Sequence, residues 1–152
     1  MQTPADPGLT SVLLRLLKIG FGFASIVSLA LGVWMVVSPE GWFDIFPGAI
    51  SDFGPLNAHF VRDLGGWYIA SGVIFVFAFT NPMRFGGVAL IVNFIAAGVH
   101  AGSHISEVVS GRVDAKHWII DTPTIFVPFL FGLVLLWIWW RLQASRILTD
   151  AS

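Results

Sequence analysis

Apolar residues in this chain gather into four long runs, approximately Ile19 to Val37, Phe60 to Thr80, Phe85 to Ile105 and Trp118 to Trp140. Short stretches rich in Pro, Gly and Asn, such as Gly54-Pro55 and Asn81-Pro82, part them. Each run is close to the roughly 20 residues that a helix needs to cross a hydrocarbon layer. The pattern predicts an all-α fold, an integral-membrane four-helix bundle forming a single domain over 1–152. The first run is longer than the apolar part of a signal peptide, and no clear small-residue cleavage site follows it, so it is expected to be a retained anchor.

Polar residues interrupt this pattern in a regular way. Three of the segments carry an ionisable pair spaced four apart, His59 with Asp63, His100 with His104, and His117 with Asp121. On a helix that spacing puts both members on one face. In the third run Asn93, Ala97, His100, His104 and Glu107 recur at intervals of 4, 3, 4 and 3, a narrow stripe expected to face the bundle interior. Gly66 and Ala70 continue the face of His59 and Asp63, Gly98 and Gly102 form a small pair on the third run, and Thr124 and Pro128 continue the face of His117 and Asp121. The first run offers only Ser25 and Ser28 and is expected to close the bundle. At about 1.5 Å per residue, Asp63, His100 and Asp121 all lie roughly 24 to 29 Å above the opposite boundary. The pairs are therefore expected to meet at one depth.

Composition agrees with the membrane assignment: 56% of residues are hydrophobic, 14% aromatic and only 11% charged, and the mean hydropathy is +0.82, far from soluble averages. A net charge of -1 provides no basic field for nucleic acid. Arg15, Lys18, Arg84, Arg141 and Arg146 fall on one side of the runs. Arg62, Arg112 and Lys116 lie on the other among Glu40, Asp44, Asp52, Asp63, Glu107, Asp114 and Asp121. The asymmetry predicts cytoplasmic termini and an outward-facing His-bearing side. Trp34, Trp42, Trp67 and Trp118 near one boundary, with Trp137, Trp139 and Trp140 near the other, match aromatic belts.

With no cysteine in the chain, His and carboxylate are its only strong metal ligands. The leading expectation is a transition-metal site for Zn, Fe, Cu or Mn. His100 and His104 are its core ligands, Asp63 and Asp121 complete it, and His59 and His117 ligate or orient the others. Arg62, Asn93, Glu107 and Thr124 are supporting candidates. No H-E-x-x-H motif occurs. A metal-free acid/base site on a lipophilic molecule is a second expectation, and haem held by two histidines a third. A transport relay is disfavoured, because Asn93 is the only strongly polar side chain at mid-depth.

Each residue also has a purely structural role open to it. Asp121 or Thr122 can cap a helix opening at Pro123, and Asn57 can cap the second run and leave His59 at the interface. Glu107 and Asp114 suit solvated loops, and Arg62 can reach headgroups. The connection from Ser38 to Ala58, which alternates aromatic and acidic residues, is either a lid over the site or an ordinary interfacial loop.

Arg62-Asp63-Leu64-Gly65-Gly66-Trp67-Tyr68 followed by Gly72, together with the four-run layout, resembles the DoxX-like group of small four-helix bacterial membrane proteins. The resemblance implies a bundle in the bacterial plasma membrane and, for some members, association with redox complexes. It implies nothing for the histidines. The function expected is thus a metal-dependent membrane oxidoreductase or a component of one, with a structural or accessory subunit of a membrane complex, or the metal-free acid/base enzyme, as the competing class; a homo-oligomer or a membrane complex is the expected assembly.

Overall fold

Asparagine and proline cut the chain where the sequence places the breaks. The computed structural model describes residues 7–150, and its regular structure there is entirely helical. α1 (Pro7–Val37) ends before Ser38-Pro39, and Pro39 opens the short α2 (Pro39–Ile45), since a residue before proline avoids the helical region. A 3₁₀ turn (Ile50–Phe53) follows. α3 (Ala58–Thr80) is capped by Asn57, whose side chain accepts from the Phe60 N–H at 3.1 Å. Asn81 alone joins α3 to α4 (Pro82–Val109). Its backbone N–H donates to Phe77 and its side chain accepts from the Arg84 N–H at 3.2 Å. Beyond α4, Gly111 at φ 72° turns the chain. α5 (His117–Ile120) is a single turn, a π turn spans Thr122–Phe126, and α6 (Val127–Asp150) completes the fold.

Four helical stretches, Gly8–Val37, Ala58–Thr80, Pro82–Val109 and His117–Ser145, are long and apolar enough to cross a membrane. They form a closed ring in which α1 packs on α3, α3 on α4, α4 on α6 and α6 on α1. α1 begins at Pro7, well before Ile19. Arg15 and Lys18 lower the hydropathy of that stretch without breaking the helix, and Leu13, Leu14 and Leu17 pack onto the core. The side chain of Arg146 lies outside the described residues.

α1 and α3 approach most closely where two glycines face each other. A Cβ on Gly32 would stand 2.7 Å from the Gly65 carbonyl oxygen, and one on Gly65 would stand 2.9 Å from the Gly32 oxygen. Nearby, the buried Ser25 hydroxyl donates to the Gly72 carbonyl at 3.0 Å. The packed face of α3 is therefore that of Val61, Gly65, Gly72 and Phe75. Gly66 and Ala70, expected inside, are exposed. Gly98 meets Phe129, whereas Gly102 is exposed with open space around it.

Two apolar clusters hold the ring. One, centred on Leu17, Phe21, Phe75, Ala89 and Leu135, fills the end that carries the termini. The other, Met35, Trp42 and Val61 with Phe46, Ile50, Leu64 and Tyr68 around them, ties α2 and the connection to α1 and α3. Trp42 and the indole nitrogen of Trp139 are buried rather than displayed in a belt. The second cluster leaves the corner facing α4 and the π turn unfilled.

Candidate functional site

That corner is a cavity of about 80 Å³. Leu31, Met35, Trp42, Phe46, Leu64, Tyr68 and Ile125 wall it, and its polar side is His100, His104, Asp121 and Thr124. For comparison, an engineered cavity of about 150 Å³ holds benzene.

Asp121 organises the polar side. Its residue is 1% exposed, and its two oxygens face two imidazoles, with His104 Nδ1 at 2.8 Å from Oδ2 and His117 Nδ1 at 3.1 Å from Oδ1. The His117 to Asp121 pair lies on the single turn of α5 and so survives the helix break that follows. The side chain of Asp121 makes no cap hydrogen bond. Its structural role as a cap is not taken up, and its oxygens serve the histidines instead.

The break itself follows from Pro123, which has no N–H to donate. The Asp121 carbonyl accepts from both Ile125 N at 2.8 Å and Phe126 N at 3.3 Å, and the widened turn is a π turn, a feature that often marks functional positions. Thr122 caps the disturbance by donating to the Trp118 carbonyl at 2.7 Å. Thr124 then faces the cavity with its hydroxyl oxygen buried and without a hydrogen-bond partner among the described residues.

His117, fully buried, continues the chain of contacts outward. Its Nε2 lies 3.2 Å from Asp52 Oδ2, and Lys116 Nζ lies 2.8 Å from the same oxygen. Asp52 belongs to the 3₁₀ turn of the connection. Beside it, Phe53 sets its ring 4.7 Å from that of His104 and 4.8 Å from that of His117, both edge-on. The Lys116 ammonium and the His117 ring hold the Asp52 carboxyl below the usual carboxylate range, with Lys116 the larger cause. The same bond holds the Lys116 ammonium above its ordinary value.

With Asp52 and Asp121 ionised, these bonds assign protons. An ionised carboxylate only accepts, so both Nδ1 atoms carry hydrogen and donate to Asp121. His117 faces a carboxylate at each nitrogen and must carry two protons. Its imidazolium and the exposed Lys116 ammonium then balance the partly exposed Asp52 and the buried Asp121. His104, with Nδ1–H committed to Asp121, presents Nε2 as a lone pair, and this nitrogen has no hydrogen-bond partner among the described residues. The His100 ring stands 4.7 Å from the His104 ring, edge-on, and also lines the cavity.

The structure thus brings together His100, His104, His117, Asp121 and Thr124. It leaves His59 and Asp63 apart: they pair with each other at 3.5 Å on an open face, their side chains 88% and 62% exposed. Arg62 is likewise exposed. Asn93 donates to the Ala89 carbonyl of its own helix at 2.9 Å. Glu107 pairs with Arg112 at 3.3 Å, and Asp114 accepts from the Lys116 backbone N–H at 2.7 Å. Sequence reasoning missed Asp52, Phe53 and Lys116 as site members. Asp52 stands 65 positions from His117 in a stretch without periodicity.

Among the described residues no three of His, Asp and Glu are placed to hold an ion, because the Nδ1 atoms and both Asp121 oxygens are committed to one another. Haem would need two imidazoles facing each other across a porphyrin, whereas His104 and His117 both turn Nδ1 to one carboxylate. No protein-family model, no curated protein and no solved structure matches this chain, so a functional reading rests on its own residues.

Proposed function

We propose that this is a multi-pass protein of the bacterial plasma membrane whose His104–Asp121 pair, at the extracytoplasmic end of the bundle, performs general acid/base chemistry on a small, uncharged, mainly apolar molecule. Four apolar helices support the membrane assignment. The positive residues Arg15, Lys18, Arg84 and Arg141, on the side away from the histidines, support cytoplasmic termini. The DoxX-like resemblance at Arg62 to Tyr68 supports the compartment.

One observation carries the chemistry: a carboxylate 1% exposed fixes Nδ1 of His104 at 2.8 Å in a residue that lines the cavity, which leaves Nε2 uncommitted. Nε2 takes a proton from one atom of the bound molecule, Asp121 stabilises the imidazolium so formed, and Nε2 returns the proton to another atom of the same molecule, a net proton shift. His100 and the Thr124 hydroxyl orient the molecule by hydrogen bonds. The apolar walls favour an uncharged ligand.

The test is a melting-temperature screen of detergent-purified protein against phenols, alcohols and ketones, run in parallel on His104→Gln. A ligand that stabilises the native chain and not the variant supports the reading. Equal shifts in both, or none across the panel, refute it. Elemental analysis of the same samples addresses the metal expectation, since a stoichiometric metal lost on replacing His100 and His104 by alanine would move the assignment to a metal centre.

A further inference from the structure

The cavity is small for a ring-sized member of the ligand class that its walls suit. At about 80 Å³ it offers roughly half the room of the engineered cavity that holds benzene. A wall has to move to admit one. Most walls are long helices, but Phe46, Gly48 and Ile50 belong to α2's end and the connection.

The connection has the build of a moving part. Its 3₁₀ turn, Ile50–Phe53, lies between the two positive-φ positions of the stretch, Ala49 at φ 47° and Gly54 at φ 134°. Both are the terminal positions of the turn, and element-terminal loop residues are where a hinge absorbs its backbone rotation. A Cβ on Gly54 would meet nothing within 4 Å. Between the hinges the polar tie to the bundle is Asp52, which accepts from Lys116 at 2.8 Å and from His117 at 3.2 Å. Phe53 adds its edge contacts with His104 and His117.

We propose that the Ile50–Phe53 turn is a gate over the cavity, latched by Asp52 on Lys116 and His117, and that it swings about Ala49 and Gly54 to admit the ligand. Opening withdraws the Ile50 wall and takes Phe53 off both imidazoles. It also removes one of the two carboxylates that balance His117, so closure of the gate and assembly of the charge-balanced pair beneath it are one event. The inference rests on the cavity being the functional site proposed above.

The absence of cysteine makes a direct test available. Thr124→Cys places a single, nearly isosteric thiol in the cavity wall, and Ser110→Cys places one on the exposed end of α4 as a reference. Both are modified with neutral N-ethylmaleimide at fixed pH, in an otherwise native background and with Asp52→Asn or Lys116→Met added. The two latch substitutions change the local charge in opposite directions, so a common effect reports the latch and not thiol ionisation. Modification at position 124 should be slower than at 110, and up to about fivefold faster in both latch variants, the scale of an exposed ion pair. Position 110 should be unchanged, which separates gating from general unfolding. Equal rates at 124 in native and latch backgrounds, whether both fast or both blocked, overturn the gate. The measurement reads access alone: a failed ligand screen would leave it standing, and a failed gate would leave the acid/base reading standing.

Discussion

Replacing Asp121 by asparagine tests the centre of the site with almost no change in volume. The native carboxylate accepts two bonds, from His104 Nδ1 at 2.8 Å and His117 Nδ1 at 3.1 Å, in a residue 1% exposed. An amide offers one acceptor and one donor, so it retains one bond as a neutral one and turns its NH₂ toward the other imidazole. A bond to a charged group contributes about 1.5–3 kcal/mol and a neutral one about 0.5–1.5 kcal/mol. The retained bond therefore loses about 1 kcal/mol and the other is lost outright, and His117 is left facing a single carboxylate. The sum is about 3 kcal/mol, within the range for breaking a buried pair. At about 2–4 °C per kcal/mol for a chain of this size, the melting temperature in detergent should fall by roughly 6–12 °C. ¹⁵N histidine spectra should show the native His104 as the Nδ1–H tautomer and His117 as doubly protonated, with one of them changed in the variant. A fall of less than about 2 °C with unaltered spectra would refute the ionised, doubly accepting Asp121 on which the proton assignment depends.

The other expectations are shorter. His59→Ala and Asp63→Asn, on the open face of α3, should each change stability by under about 0.5 kcal/mol, read by the same melts; a loss like that of Asp121→Asn would show that this pair belongs to the site. Gly32→Ala drives a Cβ into the Gly65 oxygen and the Ile69 nitrogen, and should destabilise by about 1–3 kcal/mol. Gly66→Ala, with open space, should be neutral or stabilise by about 0.5–1 kcal/mol. For the latch, Lys116 and His117 lower the Asp52 titration in the folded chain, so its contribution is whole above the unfolded value of about 4 and disappears as pH falls through the lower folded one. The melting-temperature gap between native protein and Asp52→Asn should hold steady above that pH and close below it; a gap that widens in acid would contradict the latch.

Much of the molecule is written locally in the sequence. Four long helices follow from run length and from the breaks at Ser38-Pro39, Asn57 and Asn81-Pro82, where capping and proline geometry act within a few residues. The contact of His117 with Asp121 is local too, being one helical turn. What the sequence does not contain is the rotation of each helix about its axis. Helices apolar on every side carry no polar face to mark the outside, so Gly65 and Gly66 are equivalent by pattern, and only packing against Gly32 of α1 chooses Gly65 and turns His59 and Asp63 outward. The same holds for the pairing of Asp121 with His104 on another helix, and more strongly for Asp52 and Phe53, which reach the histidines from an aperiodic connection. Those partnerships are settled by charge balance and space in the assembled bundle, and they exist only once α1, α3, α4 and α6 have closed the ring.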